Sequence, residues 1–356
     1  MNRIDAFLEL VKHQGGSDLH FVSGQTPRVR VSGELETVRF RELSTTDVLD
    51  FLTEFMTPEQ RELLDERKAV DFAYEAEGIG RFRVNVYEHV GGLAAAIRVV
   101  PTTVPTLESL NLPYAVQSAL AVGKGLILVT GPTGSGKSTT LAAMVDHINA
   151  TLRGHIVTIE DPIEHIHKYK QCVITQREIG THAPSFAEAL RSAVREDPDA
   201  ILVGEMRDLE TISLALTASE TGIMVMGTLH TNGTARSVDR IVNVFPPRRQ
   251  DQVRTMLADS LRLVISQQLV RKLDQSGRLV AAEVLVNTHA VSSMIRQNNT
   301  HKLTSAIQAG GRVGMQSLDG SLADMVRREL ISGEEAYEHA LDRSNFERFA
   351  TGDVAA

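Results

Sequence analysis

The sequence lacks tryptophan altogether and contains a single cysteine, Cys172. One cysteine cannot form a disulfide framework or a four-cysteine zinc site within one chain, so we expect neither, and a reducing cytosol is consistent with this composition. Apolar runs are short, and none approaches the roughly 18 residues that span a bilayer. The first residues also lack the apolar core of a signal peptide. We therefore expect any contact with a membrane to be peripheral.

The sequence also lacks an excess of positive charge. It contains 37 Lys and Arg against 45 Asp and Glu, which gives a formal net charge of −8. Without this excess, and without tryptophan for base stacking, the composition does not favour nucleic acid as a partner. Hydrophobic residues make up 42% and charged residues 23% of the 356 positions, which is typical of a globular protein long enough for two domains.

The first hundred residues favour a small α+β domain. Apolar spacing predicts a helix over residues 5–13, and Ser44 and Thr57 are predicted to begin two further helices. Strands are predicted over residues 18–22, 27–31, 81–87 and 93–99. Two prolines within residues 100–106 indicate an extended linker. We therefore predict a first domain over residues 1–99, a linker over 100–110 and a second domain over 111–356.

The second domain is predicted to have an α/β fold with a parallel-sheet core. Short apolar runs alternate with helical segments, which is typical of a parallel sheet that is covered on both faces. The strand candidates are residues 126–129, 156–159, 201–203 and 223–226. From about residue 291 the pattern becomes mainly helical, with Leu322, Met325 and Val326 on one face of a helix.

A glycine-rich segment lies between the first of these strands and the next helix. Its residues are Gly131, Pro132, Thr133, Gly134, Ser135, Gly136, Lys137, Ser138 and Thr139. Residues 131–138 fit the phosphate-loop pattern in full, and the strand before and helix after them are the context that the pattern requires. In such a loop, Lys137 is predicted to bridge the β and γ phosphates of ATP, and Ser138 to bind Mg²⁺. This match favours a Mg-dependent nucleotide hydrolase over a glycine-rich turn without a ligand.

Polar side chains follow the other three predicted strands. They are Glu160, Asp161 and Glu164, then Glu205, then Thr228, His230 and Asn232. Because ligands bind at the carboxyl ends of parallel strands, we expect these groups to converge near the phosphate loop. A carboxylate such as Glu205 after a buried run must lie in a cleft or be paired. Alternatively, Glu160 and Asp161 form a solvated turn and His230 is a structural histidine, and the spacing assigns no roles.

Three arginines of the first domain are candidates for contact with phosphate. Arg81 and Arg83 share a face of one predicted strand, and Arg98 ends another. Multi-subunit nucleotide hydrolases often supply such a guanidinium from a neighbouring domain. The same pattern fits an edge strand whose charges prevent aggregation, and the sequence leaves both interpretations open.

Residues 131–140, 158–165, 199–208 and 227–232 together closely resemble the motifs of the secretion ATPase family of type IV pilus motors, in particular its retraction ATPases. Residues 17–20 and 314–319 extend the resemblance over nearly the whole chain. It implies that Glu164 polarises the attacking water, that Glu205 is associated with the metal and that His230 senses the γ phosphate. It also implies that nucleotide is contacted across the domain cleft by Arg81, Arg83 and Arg98.

The resemblance further implies a homohexamer of subunits with an N-terminal PAS-like domain and a C-terminal RecA-like domain. The expected function is the ATP-driven retraction of type IV pili, which underlies twitching motility. Closure of the two domains around ATP would be the working step. The expected partner is the platform protein of the inner membrane at the pilus base, with this chain at its cytoplasmic side.

Several alternatives stay open. Extension and type II secretion ATPases usually carry a longer N-terminal extension and a four-cysteine insert, and neither is found in this sequence. Residues 290–297 keep only Ala290, Ile295 and Arg296 of the motif of many retraction ATPases, which leaves room for an accessory retraction paralogue. A regulatory protein that binds nucleotide with little turnover is a third alternative. A small-molecule kinase is disfavoured because the sequence offers no arginine-rich lid.

Overall fold

The computed structural model describes residues 2–31, 33–100 and 104–350. The chain divides into two compact units, Met1–Thr103 and Val104–Ala356. Of the predicted linker, residues 101–103 lie outside the described residues. Val100 ends a strand of the first unit, and Glu108–Leu110 forms a 3-10 turn of the second.

The first unit contains an antiparallel sheet in the order β3-β2-β1-β6-β5-β4. Its strands are β1 Asp18–Val22, β2 Arg28–Val31, β3 Glu34–Thr37, β4 Ala69–Ala76, β5 Gly80–His89 and β6 Gly92–Val100. Its helices are α1 Arg3–His13, α2 Thr45–Thr53 and α3 Pro58–Arg67. Every predicted helix and strand of this region is confirmed, whereas β3 and β4 were not predicted.

The local signals at the helix starts act as expected. Ser44 begins α2, and its hydroxyl accepts a hydrogen bond from the Asp47 N–H; Thr57 does the same for Gln60 at the start of α3. Such caps satisfy N–H groups that have no partner inside the helix. Phe7 of α1 packs edge-on against Phe21 of β1, with ring centroids 4.9 Å apart, and so joins helix and sheet in one core.

The second unit contains a sheet in the order β13-β12-β7-β11-β10-β8-β9. Its strands are β7 Gly125–Thr130, β8 His155–Glu160, β9 Val173–Glu178, β10 Ala200–Val203, β11 Met224–Leu229, β12 Leu261–Arg271 and β13 Arg278–Val286. All neighbouring pairs are parallel except β12 and β13. The four strands predicted for this region are confirmed. The edge strand β9 and the antiparallel β12–β13 hairpin were not predicted.

Helices cover both faces of this sheet. They are α4 Ala115–Ala121, α5 Lys137–Thr151, α6 Phe186–Ala193, α7 Leu209–Glu220, α8 Thr234–Asn243, α9 Pro247–Ser260, α10 His289–Arg296, α11 Leu303–Ala309, α12 Leu318–Arg327, α13 Gly333–His339 and α14 Glu347–Ala350. Along β7, Leu126 and Leu128 belong to one core while Ile127 and Val129 belong to the other. This alternation places an apolar core on each side of the strand.

The predicted α/β class with a parallel-sheet core is confirmed, and so is the helical character from about residue 291. Leu322 and Met325 of α12 are buried against Val270 of β12 and Ala281 of β13. Within the described residues, the helices are too short or too polar to cross a bilayer.

Candidate functional site

The phosphate loop connects the end of β7 to the start of α5. Gly131 has a φ of 143°, and a Cβ atom at this position would lie 2.3 Å from the carbonyl oxygen of Gln267. Gly136 begins α5 in the left-handed region, at φ 85°. Both positions therefore require glycine. The N–H groups of the loop lie at the N-terminus of α5, where the helix dipole favours a bound phosphate.

Lys137 is held across this loop. Its Nζ donates hydrogen bonds to the carbonyl oxygens of Gly131 and Pro132, each at 3.0 Å. The residue is only 9% exposed, and burial lowers the pKa of its ammonium group, while the charges of Glu205 and Glu164 act in the opposite direction. An anionic phosphate beside Lys137 would supply the counter-charge that favours the protonated form.

A cavity of about 480 Å³ opens beside the loop. Its lining includes loop residues and groups at or just after the carboxyl ends of three other strands, namely Thr133, Gly134, Gly136, Lys137, Ser138, Thr139, Glu160, Asp161, Glu164, Glu205, Thr228 and His230. The predicted convergence of the strand ends on the phosphate loop is thus confirmed. Asn232 is not among the lining residues of this cavity.

Glu205 is paired at the cavity wall, as expected for a carboxylate that follows a buried strand. Its Oε1 accepts a hydrogen bond from Arg207 Nε and lies 3.0 Å from His230 Nε2. The contact with Glu205 raises the pKa of Arg207. The side chain of His230 is 42% exposed at the cavity wall, and its role stays a prediction.

Glu160 is not part of a solvated turn. It is half-buried, and its Oε1 accepts a hydrogen bond from the Thr158 hydroxyl at 2.6 Å. Burial raises the pKa of this carboxyl to about 7, and the nearby charge of Glu164 adds to the effect. Asp161 and Glu164 are exposed, and a cis peptide bond joins Asp161 to Pro162. The alternative of a solvated turn is therefore wrong for Glu160.

The oxygen atoms around this cavity fit a magnesium ion. The hydroxyl of Ser138 lies on the first turn of α5, and the carboxylates of Glu160, Asp161, Glu164 and Glu205 line the same space. Mg²⁺ prefers oxygen ligands and binds through one or two carboxylates together with phosphate oxygens. The donor set therefore suits a metal that enters with a nucleotide.

The three candidate arginines share one face of the first unit's sheet. Arg83 of β5 lies opposite Arg98 of β6, and Arg81 is two residues further along β5. Arg98 Nε donates a hydrogen bond of 2.7 Å to Asp18 Oδ1, and Arg83 Nε lies 3.9 Å from Asp71 Oδ1. Their contact with nucleotide stays a prediction.

The β12–β13 hairpin contributes residues that sequence reasoning missed. Leu269 and Arg278 line the cavity. Gln267 is fully buried and bonds to both the phosphate loop and α5. The one available signal was the polar pair Gln267 and Gln268 inside an otherwise apolar run, because a buried amide needs specific partners.

Comparisons with known proteins agree with this geometry. The family model described as type II/IV secretion system protein matches residues 1–349. The type IV pilus retraction ATPase PilT of Pseudomonas aeruginosa is 47% identical over 343 residues, which are 96% of this chain and 99% of that protein. A twitching motility protein of Neisseria gonorrhoeae is 49% identical over 315 residues, covering 88% of this chain and 84% of that protein.

Among solved structures, a crystal structure of the pilus retraction motor PilT with bound ADP superimposes with a TM-score of 0.89 at 41% identity. The match covers 98% of this chain and 99% of that one. The family model and the relatives extend over both units and not only over the phosphate loop. The chain therefore belongs to the type II/IV secretion system protein family, as an ATPase of the PilT type.

Proposed function

We propose that this chain is the Mg-dependent motor ATPase that retracts type IV pili, working as a homohexamer. The observation that carries the proposal is that the phosphate loop, Glu164, Glu205 and His230 line one cavity. This cavity combines a phosphate cradle with carboxylates that can orient water, which is what phosphoryl transfer to water needs. Relatives that match over 99% and 84% of their own length are named as retraction and twitching proteins.

Each group at the cavity has its own role in ATP hydrolysis under this proposal. The main-chain N–H groups of the loop, except at Pro132, which has none, bind the phosphates, and Lys137 exchanges its carbonyl partners for phosphate oxygens. Glu164, exposed at the cavity wall, polarises the attacking water. His230 and Glu205 form a linked pair that responds to the γ phosphate. Mg²⁺, when bound with ATP by Ser138 and by Glu205, directly or through water, neutralises phosphate charge.

For the larger assembly, we propose the arrangement that the family resemblance implies. The first unit is a PAS-like domain and the second a RecA-like domain, divided at the predicted linker. Arg81, Arg83 and Arg98 reach nucleotide across the domain cleft, and nucleotide-driven changes in domain angle are the working step. The ring docks peripherally at the cytoplasmic side of the inner membrane, against the platform protein of the pilus.

An accessory retraction role is the second candidate, and residues 290–297 favour it. The retained Ile295 is fully buried, and the retained Arg296 forms an ion pair with Asp259 of α9. The altered position Ser292 instead hydrogen-bonds the Ala258 carbonyl oxygen at 2.9 Å. Helix α10 therefore keeps the contact of Arg296 with α9, while other side chains of α10 differ from the motif of many retraction ATPases.

The test is to delete the gene in its own organism and to count surface pili by electron microscopy. The proposal predicts excess pili with lost twitching, restored by the intact chain and not by Lys137→Ala. Bald cells would instead identify an extension motor. Unchanged cells would contradict the role of principal motor and favour the accessory one.

A further inference from the structure

Two adjacent residues of β12, Ser266 and Gln267, contact the two loops of the site from opposite faces of the sheet. Successive side chains of a strand point to opposite faces. Gln267 is fully buried beside α5, and Ser266 is 8% exposed beside the start of α8. In the pairing of β12 with β7, Ser266 lies opposite Thr130, which directly precedes the phosphate loop.

Gln267 binds the phosphate loop through both ends of its amide. Its Nε2 donates to the carbonyl oxygen of Ser135 at 2.7 Å, and its Oε1 accepts from the Thr140 hydroxyl at 3.0 Å. Since a main-chain carbonyl can only accept, Ser135 fixes the orientation of the amide. The carbonyl oxygen of Gln267 also lies against Gly131. One residue thus fixes the first and middle parts of the loop and the helix behind it.

Ser266 holds the segment that carries His230. Its Oγ accepts a hydrogen bond of 2.8 Å from the N–H of Gly233, the residue that precedes α8. Residues 230–232 connect β11 to Gly233, and His230 Nε2 lies 3.0 Å from Glu205. The hydroxyl of Ser266 therefore fixes where this short segment ends, and so limits how far His230 can move from Glu205.

We infer that Ser266 and Gln267 are positioning residues for ATP hydrolysis, an inference that rests on the proposed function. Gln267 shapes the phosphate loop and so sets nucleotide affinity. Ser266 holds the segment of His230 and so sets the rate of the hydrolytic step. Neither side chain is among those that line the described cavity. Gln267 acts through the Ser135 carbonyl and the Thr140 hydroxyl, and Ser266 acts through the Gly233 N–H.

The first experiment measures nucleotide affinity in the full-length protein. Gln267→Met should raise the Kd for ADP, by calorimetry, and the KM for ATP about tenfold, because a buried carbonyl loses its partner and the loop loosens. The kcat at saturation should change less than about threefold. Thr140→Val removes the hydroxyl that donates to Gln267 Oε1 while keeping the shape of the residue 140 side chain. This variant should also raise the Kd for ADP.

A matched control lies next along the strand. Gln268 is the same residue type, and its Oε1 lies 2.9 Å from His339 Nδ1 of α13, away from both loops. Gln268→Met should leave Kd, KM and kcat as in the wild type. An unchanged ADP affinity in folded Gln267→Met and Thr140→Val would overturn the role given to Gln267.

The second experiment separates the two faces of β12. Ser266→Ala should leave the Kd for ADP within about twofold and lower kcat about tenfold, and Ser266→Thr, which keeps a hydroxyl, should restore kcat. An unchanged kcat in Ser266→Ala would overturn the role of Ser266. A wild-type protein that binds ADP without hydrolysing ATP would instead contradict the proposed function, while the ADP affinities would still test Gln267.

Discussion

Lys137 and Glu164 line the same cavity but are held differently. Lys137 is buried and bonded to two loop carbonyl groups, whereas Glu164 is exposed to solvent. A buried ammonium group within the phosphate cradle contributes to binding in every nucleotide state. An exposed carboxylate beside a bound phosphate would add negative charge to a site for an anion, so under the proposed function we expect Glu164 to affect the reaction with water rather than affinity.

Lys137→Ala and Glu164→Gln should therefore separate binding from hydrolysis. Loss of the lysine should weaken the binding of a non-hydrolysable ATP analogue about tenfold to a hundredfold, the range for hydrogen bonds to charged groups. Glu164→Gln should bind the analogue normally and lower kcat at least about a hundredfold. Glu220→Gln, at the exposed end of α7, is the matched control. Undiminished phosphate release by Glu164→Gln would remove the role given to this residue.

Glu160→Gln should make the protein more stable at neutral and alkaline pH. Because the pKa of this carboxyl is raised from 4.5 to about 7, the folded protein holds a proton that the unfolded chain has lost between these pH values. Stability therefore falls as pH rises through this window, by about 3 kcal/mol in total. Glutamine cannot ionise, and its Oε1 can still accept the hydrogen bond from Thr158.

Thermal unfolding at pH 5 and pH 8 measures this effect. The Tm of Glu160→Gln minus that of the wild type should increase by several degrees between the two pH values. The exposed control Glu220→Gln should show no such increase. A constant difference for Glu160→Gln would mean that the folded state does not hold this proton.

At the scale of elements, the phosphate loop is a turn whose glycines are not equivalent. Gly131 combines a φ of 143° with a close approach to Gln267, whereas Gly134 has a φ of 79° and open space where a Cβ atom would be. Gly131→Ala should therefore displace the loop from β12 and abolish measurable ADP binding. Gly134→Ala should cost only the strain of a left-handed alanine, about 1–2 kcal/mol, and keep binding ADP. Calorimetry with ADP distinguishes them, and equal losses would contradict the close approach at Gly131.

The same scale explains how much of the site could be predicted. The loop, Glu164, Glu205 and His230 were placed correctly at one cavity because each follows an apolar strand, and parallel strands end at one edge of the sheet. Gln267 was missed because its partner Thr140 is 127 residues away in sequence. No local pattern encodes such a contact, which depends on where β12 lies beside β7.

The helices and strands also differ in how well the sequence predicts them. Strands β1 and β7 were predicted because their apolar residues are bounded by Gly or polar residues. The short strand β3 consists of exposed residues, so it has no apolar pattern to detect. The apolar run of β13 does not reveal the direction of the strand, because a buried edge strand has the same apolar pattern whether it is parallel or antiparallel to its neighbour.

At the scale of the whole molecule, Arg81, Arg83 and Arg98 form a group that belongs to the first unit, while the phosphate loop belongs to the second. Arg98 already has a carboxylate partner in Asp18, and Arg83 is 3.9 Å from Asp71. Arg83 therefore has a weaker ion pair than Arg98, and it loses less interaction energy when its guanidinium contacts a phosphate instead. In a ring, that phosphate can belong to the same subunit or to its neighbour.

Mixed rings decide between these alternatives. Lys137→Ala subunits have a defective loop with an intact Arg83, and Arg83→Ala subunits have the reverse, so each homomeric ring should hydrolyse ATP poorly. If Arg83 acts on the neighbour's nucleotide, co-expressed rings should regain part of the wild-type rate, because intact loops then face intact arginines. If Arg83 acts within its own subunit, every site stays defective and no activity returns. Full activity of the Arg83→Ala homomer would instead assign this arginine to the charged surface of its sheet.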